Sequence, residues 1–256
     1  MSSHPEPRSI LITGATGGIG SALALLYATS GNTLILFGRN EQGMEELAGR
    51  CRALGARVVP RVCDLRNSHL LIAELQAVCE KEQPDLVIAN AGVSSSADKD
   101  GERWEAIEEV IQVNVLATMA TVQGVLPFMR KQGKGQIALI GSLAGWYGLP
   151  VTPSYSASKA AIKNYAEAMR SRLEPEGIKL NLVMPGFVVS RMSSSVPGPK
   201  PFLWSAERAA SAIRKGLAAN RARITFPFPL NFGCWLLAML PPSISGRLIA
   251  LSGYHG

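Results

Sequence analysis

The stretch Thr13-Gly-Ala-Thr-Gly-Gly-Ile-Gly20 follows the apolar run Ser9–Thr13 and leads into a helical pattern. Consecutive apolar residues are typical of a strand buried on both faces. Gly14 would permit a tight turn, Gly18 would let backbone approach a pyrophosphate, and Gly20 would let the helix pack closely on the sheet. The N–H groups and dipole at the helix N-terminus would favour the anion. We therefore predict a nucleotide-binding turn after the first strand; a plain glycine-rich turn is the alternative.

Strand and helix patterns alternate through the first two hundred residues and are joined by short links. This alternation predicts an α/β fold with a doubly wound parallel sheet, right-handed crossovers and helices on both faces. The predicted strands are 9–13, 33–37, 57–62, 85–89, 136–140 and 178–183. The predicted helices are 20–30, 41–54, 68–82, one or two within 103–131, and 154–173.

The composition is that of one folded domain. The chain has 256 residues, 47% hydrophobic, with 26 basic and 19 acidic side chains and a net charge of +7. It is too apolar for a disordered chain, and single α/β domains commonly reach about 250 residues. Four cysteines without a CxxC pair and only three histidines argue against a disulfide framework and a zinc site, so no metal is expected. No apolar signal segment follows a basic start, which predicts a cytoplasmic location.

The positive charge is concentrated in the last quarter of the chain. Residues 191–256 carry eight basic side chains and one acidic side chain, whereas the preceding residues are balanced. The stretch 193–201, rich in Pro, Ser and Gly, predicts a mobile loop over the sheet edge. We divide the single domain, 1–256, into a core, 1–190, a substrate-covering loop, 187–205, and a hydrophobic C-terminal extension, 224–256.

The C-terminal extension allows three interpretations. A helix at 206–219 and a strand at 223–226 precede two apolar segments, 232–240 and 244–251. These segments could pack on the domain or a partner subunit. They could instead anchor residues 224–251 in a membrane surface through Trp235 and three phenylalanines. A transmembrane span is least favoured, because prolines interrupt a stretch that would need about 20 apolar residues. No basic-aromatic pattern indicates nucleic-acid binding.

Further motifs follow the glycine-rich turn at suitable positions. They are Asn90-Ala-Gly92, Asn114, Ser142, Tyr155-Ser-Ala-Ser-Lys159 and Pro185-Gly186. With the spacing G-x3-G-x-G, they make residues 9 to about 190 resemble the short-chain dehydrogenase/reductase family. The resemblance implies a Rossmann-like sheet and hydride transfer between a nicotinamide cofactor and a carbonyl or alcohol.

Tyr155 and Lys159 are the proposed acid/base pair. Their spacing of four places them on one helix face, where the cation would lower the tyrosine pKa toward working pH. Ser142 would donate a hydrogen bond to the substrate oxygen, with a helix or turn cap as its alternative role. The resemblance implies that Lys159 also binds ribose and that Asn114 holds a water of the proton relay. A mid-helix amide satisfied by backbone is the alternative for Asn114.

The cofactor is predicted to be NADP, with NAD as the alternative. No acid follows the second strand before Glu41, and Arg39 could pair with a 2′-phosphate. The alternative is that Arg39 is a surface cation. Asp64 matches the residue that contacts adenine in the family, or it caps the following helix. The predicted cofactor-binding residues are Gly14, Thr16, Gly18, Ile19, Gly20, Arg39, Asp64, Leu65, Asn90, Ala91, Gly92, Tyr155, Lys159, Pro185, Gly186 and Val188.

The predicted substrate pocket is apolar. Its expected wall comes from two loops and contains Leu143, Trp146, Tyr147, Phe187, Val188, Val189, Met192, Phe202, Leu203 and Trp204. A hydrophobic carbonyl or alcohol is therefore expected as substrate. We further expect a homodimer or homotetramer, in the cytoplasm or at the inner face of a membrane. A nucleotide-sensing protein and a membrane-associated scaffold, both without turnover, are the alternative functions.

Overall fold

The computed structural model describes residues 7–251, so 252–256 of the predicted extension lie outside it. Its strands are β1 Ser9–Thr13, β2 Thr33–Gly38, β3 Arg57–Val62, β4 Leu86–Ala89, β5 Gly135–Ile140, β6 Ile178–Pro185 and β7 Arg223–Phe226. Its α-helices are α1 Gly18–Tyr27, α2 Glu41–Ala53, α3 Ser68–Glu82, α4 Trp104–Ile111, α5 Ala117–Gln132, α6 Pro153–Leu173, α7 Arg191–Ser195, α8 Ala206–Ala218, α9 Leu230–Met239 and α10 Pro242–Leu251.

The seven strands form one sheet with the order β3-β2-β1-β4-β5-β6-β7. Every neighbouring pair is parallel. The strand order reverses at β1, so a crevice opens at the carboxyl ends of β1 and β4, where such sheets bind ligands. The predicted doubly wound α/β fold is confirmed.

Two apolar layers cover the sheet. Alternate residues of β1 point to opposite layers: Ile10 packs with helices α1 and α8, whereas Leu11 packs with α3, α5 and α6. Both side chains are fully buried. Burial on both faces explains why the strands read as continuous apolar runs.

Two segments differ from the sequence-based prediction. The predicted mobile loop at 193–201 begins within the short helix α7, where Ser190 and Ser193 form a reciprocal capping box. Between α4 and α5 the chain forms a π-helical turn, Gln112–Leu116. The resulting helical stretch Trp104–Gln132 is long and apolar enough to cross a membrane, but 61% of its apolar window is buried in the domain. It packs as a core helix against α3.

The C-terminal extension folds into two ten-residue helices, each too short to span a bilayer. One side packs on the domain: Ile249 of α10 and Leu237 of α9 join Val151, Tyr147 and Phe187 in a small apolar cluster. The other side is exposed and apolar. The predicted packing on the domain therefore accounts for one face of each helix.

Candidate active site

A cleft of about 750 Å³ lies at the carboxyl ends of the central strands. Its wall contains all the predicted cofactor-binding residues except Gly20, together with Ser142, Tyr155 and Lys159 of the proposed catalytic group. Asn114 lies behind this wall. The fold thus brings into one site residues that are separated by up to 174 positions, from Gly14 to Val188.

The glycine-rich turn has little room for side chains. Gly14 has a positive φ of 63°, and a Cβ there would lie 2.7 Å from the Ala91 Cα. A Cβ on Gly18 would lie 2.9 Å from the Ser190 Cβ. The two glycines therefore let the turn pack closely against Ala91 and Ser190, and both line the cleft at the start of α1, where a pyrophosphate would lie.

Gly20 has a structural role. A Cβ at Gly20 would lie 2.3 Å from the Gly14 carbonyl oxygen, so the residue allows α1 to close against the turn. This matches its predicted packing role, but the residue does not line the cleft. Asn90 braces the same turn, because its Nδ2 donates to the carbonyl oxygens of Thr13 and Gly14 at 3.1 and 3.0 Å.

Helix α6 carries Tyr155 and Lys159 one turn apart. The Lys159 Nζ lies 5.6 Å from the centroid of the Tyr155 ring and donates to the Ile140 carbonyl oxygen at 2.9 Å. Lys159 is only 4% exposed. Among residues 7–251, no carboxylate forms an ion pair with it. The site therefore contains a buried ammonium group held by a neutral partner.

Burial changes the expected acid/base balance. We predicted that Lys159 would lower the Tyr155 pKa, but burial raises that pKa, and the neighbouring Ser142 only partly opposes the rise. Burial also lowers the pKa of Lys159 from 10.5 to about 8. The cost of removing both charged forms from water outweighs their mutual interaction. Tyr155 is therefore a phenol at neutral pH, ready to donate a proton.

Ser142 has the capping role that was considered as its alternative, and its donation to a substrate oxygen stays a prediction. Its Oγ accepts from the Ala144 N–H at 3.1 Å and so caps the short 3-10 helix Leu143–Gly145. The same hydroxyl lies close enough to Tyr155 to lower the pKa of the phenol. Capping fixes the hydroxyl beside the phenol, which is where a substrate oxygen would have to lie for both to reach it.

Asn114 is fully buried in the π-helical turn. Its Oδ1 accepts from the Val93 N–H at 2.8 Å, and its Nδ2 donates to the Val93 carbonyl oxygen and the Ser158 Oγ, each at 2.9 Å. A Cβ on Gly92 would lie 3.3 Å from Asn114 Oδ1 and 3.5 Å from Lys159 Nζ. The Asn114 amide is therefore hydrogen-bonded to backbone groups, as the alternative for this residue supposed, and it lies near Lys159. Its role in a water relay stays a prediction.

The end of the cleft near β2 is charged. Arg39 is 60% exposed at its side chain and forms an ion pair with Glu109 at 3.2 Å. Asp64 bonds with Arg66, which holds the pKa of the Asp64 carboxyl below its usual value. Asn67, and not Asp64, caps the helix that follows. Arg39 and Asp64 both remain at the cleft wall, as a contact with the adenosine part of a nucleotide requires.

The C-terminal extension contributes residues that sequence reasoning did not assign to the site. Leu230, Cys234 and Leu237 of α9 and Leu248 and Ile249 of α10 line the cleft. Their helical spacing was a signal for one buried face, but the sequence does not show what that face covers. Burial raises the pKa of the Cys234 thiol to about 11, so this cysteine is an apolar wall residue at neutral pH.

The expected substrate wall is present in part. Leu143, Tyr147, Phe187, Val188 and Met192 line the cleft. The other five predicted residues lie elsewhere: Trp204 stacks on Phe226, Trp146 packs beneath two cations, and Val189, Phe202 and Leu203 are exposed. Within residues 7–251 no cluster of three His, Cys, Asp or Glu side chains could hold a metal ion.

Comparisons with known proteins agree with this site. The family model described as short chain dehydrogenase matches residues 8–200. The chain therefore belongs to the short-chain dehydrogenase/reductase family and is an oxidoreductase, which confirms the resemblance drawn from the motifs.

Relatives match over most of the chain. An uncharacterized oxidoreductase of Myxococcus xanthus (strain DK1622) is 32% identical over 235 residues, 91% of this chain and 93% of the relative. Estradiol 17-beta-dehydrogenase 11 of Homo sapiens is 30% identical, covering 96% of this chain and 86% of the relative. The solved structure of a short-chain dehydrogenase from Sphingobium yanoikuyae in complex with NADPH has a TM-score of 0.78 at 24% identity, covering 95% of this chain and 94% of that one. This last likeness shows a shared fold.

Proposed function

We propose that the protein is an NADP(H)-dependent oxidoreductase that interconverts a carbonyl and a secondary alcohol in a hydrophobic substrate. One observation carries the proposal: the phenol of Tyr155 stands beside Ser142 and one helical turn from the buried Lys159, in a cleft that also contains the glycine-rich turn. A nucleotide-sensing protein would not require these three groups around one point.

The chain's own residues supply the proton and hold the reacting oxygen. In the reducing direction Tyr155 donates its phenolic proton to the carbonyl oxygen, and Ser142 donates a hydrogen bond to the same oxygen as negative charge develops. The Lys159 ammonium, one turn away, stabilises the phenolate that remains. When bound, the nicotinamide supplies two electrons and one hydrogen to the carbonyl carbon. In the reverse direction the phenolate accepts the alcohol proton.

The preference for NADP rests on Arg39. The guanidinium sits at the cleft wall beyond β2, where it forms an ion pair with Glu109, and no acid lies between that strand and Glu41. An arginine fork matches a phosphate well. The S. yanoikuyae relative was solved with NADPH, which is consistent with this preference.

The hydrophobic substrate is supported by the wall beyond Tyr155. Two loops and both C-terminal helices line that part of the cleft, and among their side chains are Leu143, Phe187, Met192, Leu237 and Ile249. Mostly apolar walls with a few placed polar groups favour ligands that bury apolar surface.

The first experiment follows nicotinamide absorbance with NADPH or NADH and aldehydes or ketones of increasing chain length. We expect turnover with NADPH that rises with chain length. The Arg39→Ala variant should raise the KM for NADPH about 10- to 100-fold and leave the KM for NADH unchanged, because it removes a charge-assisted bond. The matched control is Arg52→Ala, an exposed arginine paired with Glu45. Tight NADPH binding without turnover of any carbonyl would favour the sensing alternative instead.

We further propose that the exposed face of the extension contacts a membrane peripherally. Phe232, Trp235 and Met239 of α9 are 54%, 41% and 68% exposed, and Leu251 ends α10 at 85%. The exposed Arg247 lies on α10, and the extension carries no acid. An apolar face with a cation and no anion complements an anionic lipid surface.

Vesicle flotation tests this contact, with phosphatidylcholine alone and with added phosphatidylglycerol. We expect binding that increases with anionic lipid and is lost in Trp235→Ser. The matched control is Trp104→Ser, an exposed tryptophan on α4. If Trp235→Ser instead dissociates a dimer seen by light scattering, and wild-type protein ignores vesicles, the face belongs to a subunit interface. The expected homodimer or homotetramer stays a prediction that the same light-scattering measurement examines.

A further inference from the structure

The helix that carries Tyr155 and Lys159 has no cap of its own. The residue before it, Thr152, makes no side-chain cap bond, and Pro153 occupies the first helical position. The free N–H groups of a first turn need acceptors from elsewhere when the turn is buried. Ser154, the next residue, is buried.

Glu102 supplies the missing acceptor from 52 residues upstream. Its Oε2 accepts from the Ser154 N–H at 2.8 Å, and its Oε1 accepts from the Ser154 Oγ at 2.7 Å. The Ser95 hydroxyl donates to the same Oε1 and lies 2.9 Å from the Ser154 Oγ. One carboxylate therefore joins the first turn of α6 to the segment 93–103. The residue after Ser154 is Tyr155.

The segment 93–103 forms part of the cleft and is fastened at several points. Val93 and Ser94 line the cleft, and both backbone groups of Val93 are bonded to the Asn114 side chain. The Ala97 N–H donates to the Val151 carbonyl oxygen at 3.0 Å. Three of these attachments reach α6: Glu102 and the Ser95 hydroxyl contact Ser154 in its first turn, and Asn114 donates to the Ser158 Oγ one turn further on.

We propose that Glu102 is a positioning residue: its carboxylate fixes the first turn of α6 and the Ser94–Ser95 wall against each other, and thereby holds Tyr155 in place against the substrate oxygen. The inference rests on the proposed function for its kinetic consequences. The structural part of the proposal, that Glu102 caps α6 from outside the helix, can be tested without any substrate. A negative charge at the N-terminus of a helix also stabilises that end through the helix dipole.

The kinetic test compares Glu102→Ala, Glu102→Gln and the control Glu105→Ala, an exposed glutamate on α4. We expect Glu102→Ala to lower kcat about 10- to 100-fold, the loss expected for a small misplacement of a reacting group. The NADPH Kd, measured by fluorescence, should stay within about twofold, because the glycine-rich turn lies far along the chain from Glu102 and Lys159, in the second turn of α6, keeps its bond to Ile140. Glu102→Gln keeps an oxygen for the Ser154 N–H and should recover kcat to within about threefold of wild type. Glu105→Ala should match wild type.

Amide hydrogen exchange in the protein without ligand is the second measurement. Glu102→Ala should speed exchange in peptides covering the start of α6, because α6 loses its cap. Exchange in peptides of α8 should be unchanged, because that helix keeps its cap. Unchanged exchange at α6 would overturn the inference even if the wild type proved inactive. An active wild type with equal kcat in Glu102→Ala would overturn it separately from the proposed function. A parallel loss of kcat, NADPH affinity and thermal stability would also overturn it, because that pattern indicates a merely structural role.

Discussion

Replacing Lys159 by methionine is expected to abolish turnover. At neutral pH the same change should also remove the free-energy cost that the buried lysine charge imposes on the folded state. The side chain is 4% exposed, its ammonium has the Ile140 carbonyl oxygen as a hydrogen-bond partner, and burial lowers its pKa from 10.5 to about 8. Methionine has a similar length and no charge. The stability effect therefore isolates what the buried cation costs the folded state.

The magnitude follows from the two pKa values. An unfolded chain keeps the lysine proton up to pH 10.5, whereas the folded protein releases it above pH about 8. Since each pKa unit corresponds to about 1.4 kcal/mol, the cation costs about 3 kcal/mol at pH 7. The folded state binds fewer protons between these limits, so wild-type stability should rise with pH across that window. The expected relief is about 1 kcal/mol from pH 7 to 9 and about 2 kcal/mol from pH 7 to 10.

Methionine also leaves the Ile140 carbonyl oxygen without its partner, which costs about 1–3 kcal/mol at every pH. The absolute stability of Lys159→Met at pH 7 is therefore a small difference of opposing effects. The change with pH of the stability difference between variant and wild type does not include the lost hydrogen bond, because that bond costs the same at every pH. The decisive quantity is the free energy of unfolding of the variant minus that of the wild type.

Urea denaturation at pH 7, 9 and 10 measures that difference. We expect it to fall steadily with pH by the amounts given, because only the wild type gains stability as its lysine loses the proton. Lys131→Met, which replaces an exposed lysine on α5, is the control and should show no such trend. A pH-independent difference between Lys159→Met and wild type would refute the conclusion that burial of the charge sets the lysine pKa.

Three further outcomes are expected. The rate of carbonyl reduction should decline as pH rises through about 8, because Lys159 loses its charge there while its raised pKa keeps Tyr155 protonated. A pH–rate profile of kcat/KM measures this decline, and a flat profile to pH 10 would contradict it. Tyr155→Phe should lower kcat about 1,000-fold and retain NADPH affinity. Its control is Tyr165→Phe, which removes a buried hydroxyl without a hydrogen-bond partner; this variant should keep activity and unfold at slightly higher temperature. Gly14→Ala should lower thermal stability and NADPH affinity together, since its Cβ would meet the Ala91 backbone, and a wild-type melting temperature would count against that clash.

Much of the fold is readable from local patterns. Strand β3 begins and ends at the predicted residues 57 and 62, and β7 at 223 and 226. The helix pattern near residue 112 did not reveal the π-helical turn. That turn places Asn114 toward Val93, and a contact between residues 21 apart leaves no local signal.

The catalytic residues were predictable, whereas their electrostatics were not. A spacing of four shows that Tyr155 and Lys159 share a helix face, and it therefore suggests that the cation lowers the tyrosine pKa. The spacing does not show how far the folded protein removes the two groups from water. Desolvation then decides the direction of both pKa changes. The pairs Arg39–Glu109 and Ser154–Glu102 were missed for a similar reason, since their partners lie 70 and 52 residues apart.

The buried lysine and the external cap together explain how α6 can hold a reactive pair. A helix whose second turn carries an unpaired buried cation needs compensating contacts, and it has them along its inner face in Ile162 and Ala166, which are fully enclosed by the core. Its first turn is held by polar contacts, among them the two hydrogen bonds from Ser154 to the Glu102 carboxylate. The apolar contacts of Ile162 and Ala166 thus stabilise α6, whereas the Glu102 carboxylate fixes the position of Tyr155. These two contributions can fail independently, which is why a variant at Glu102 is expected to change kcat with little effect on the free energy of unfolding.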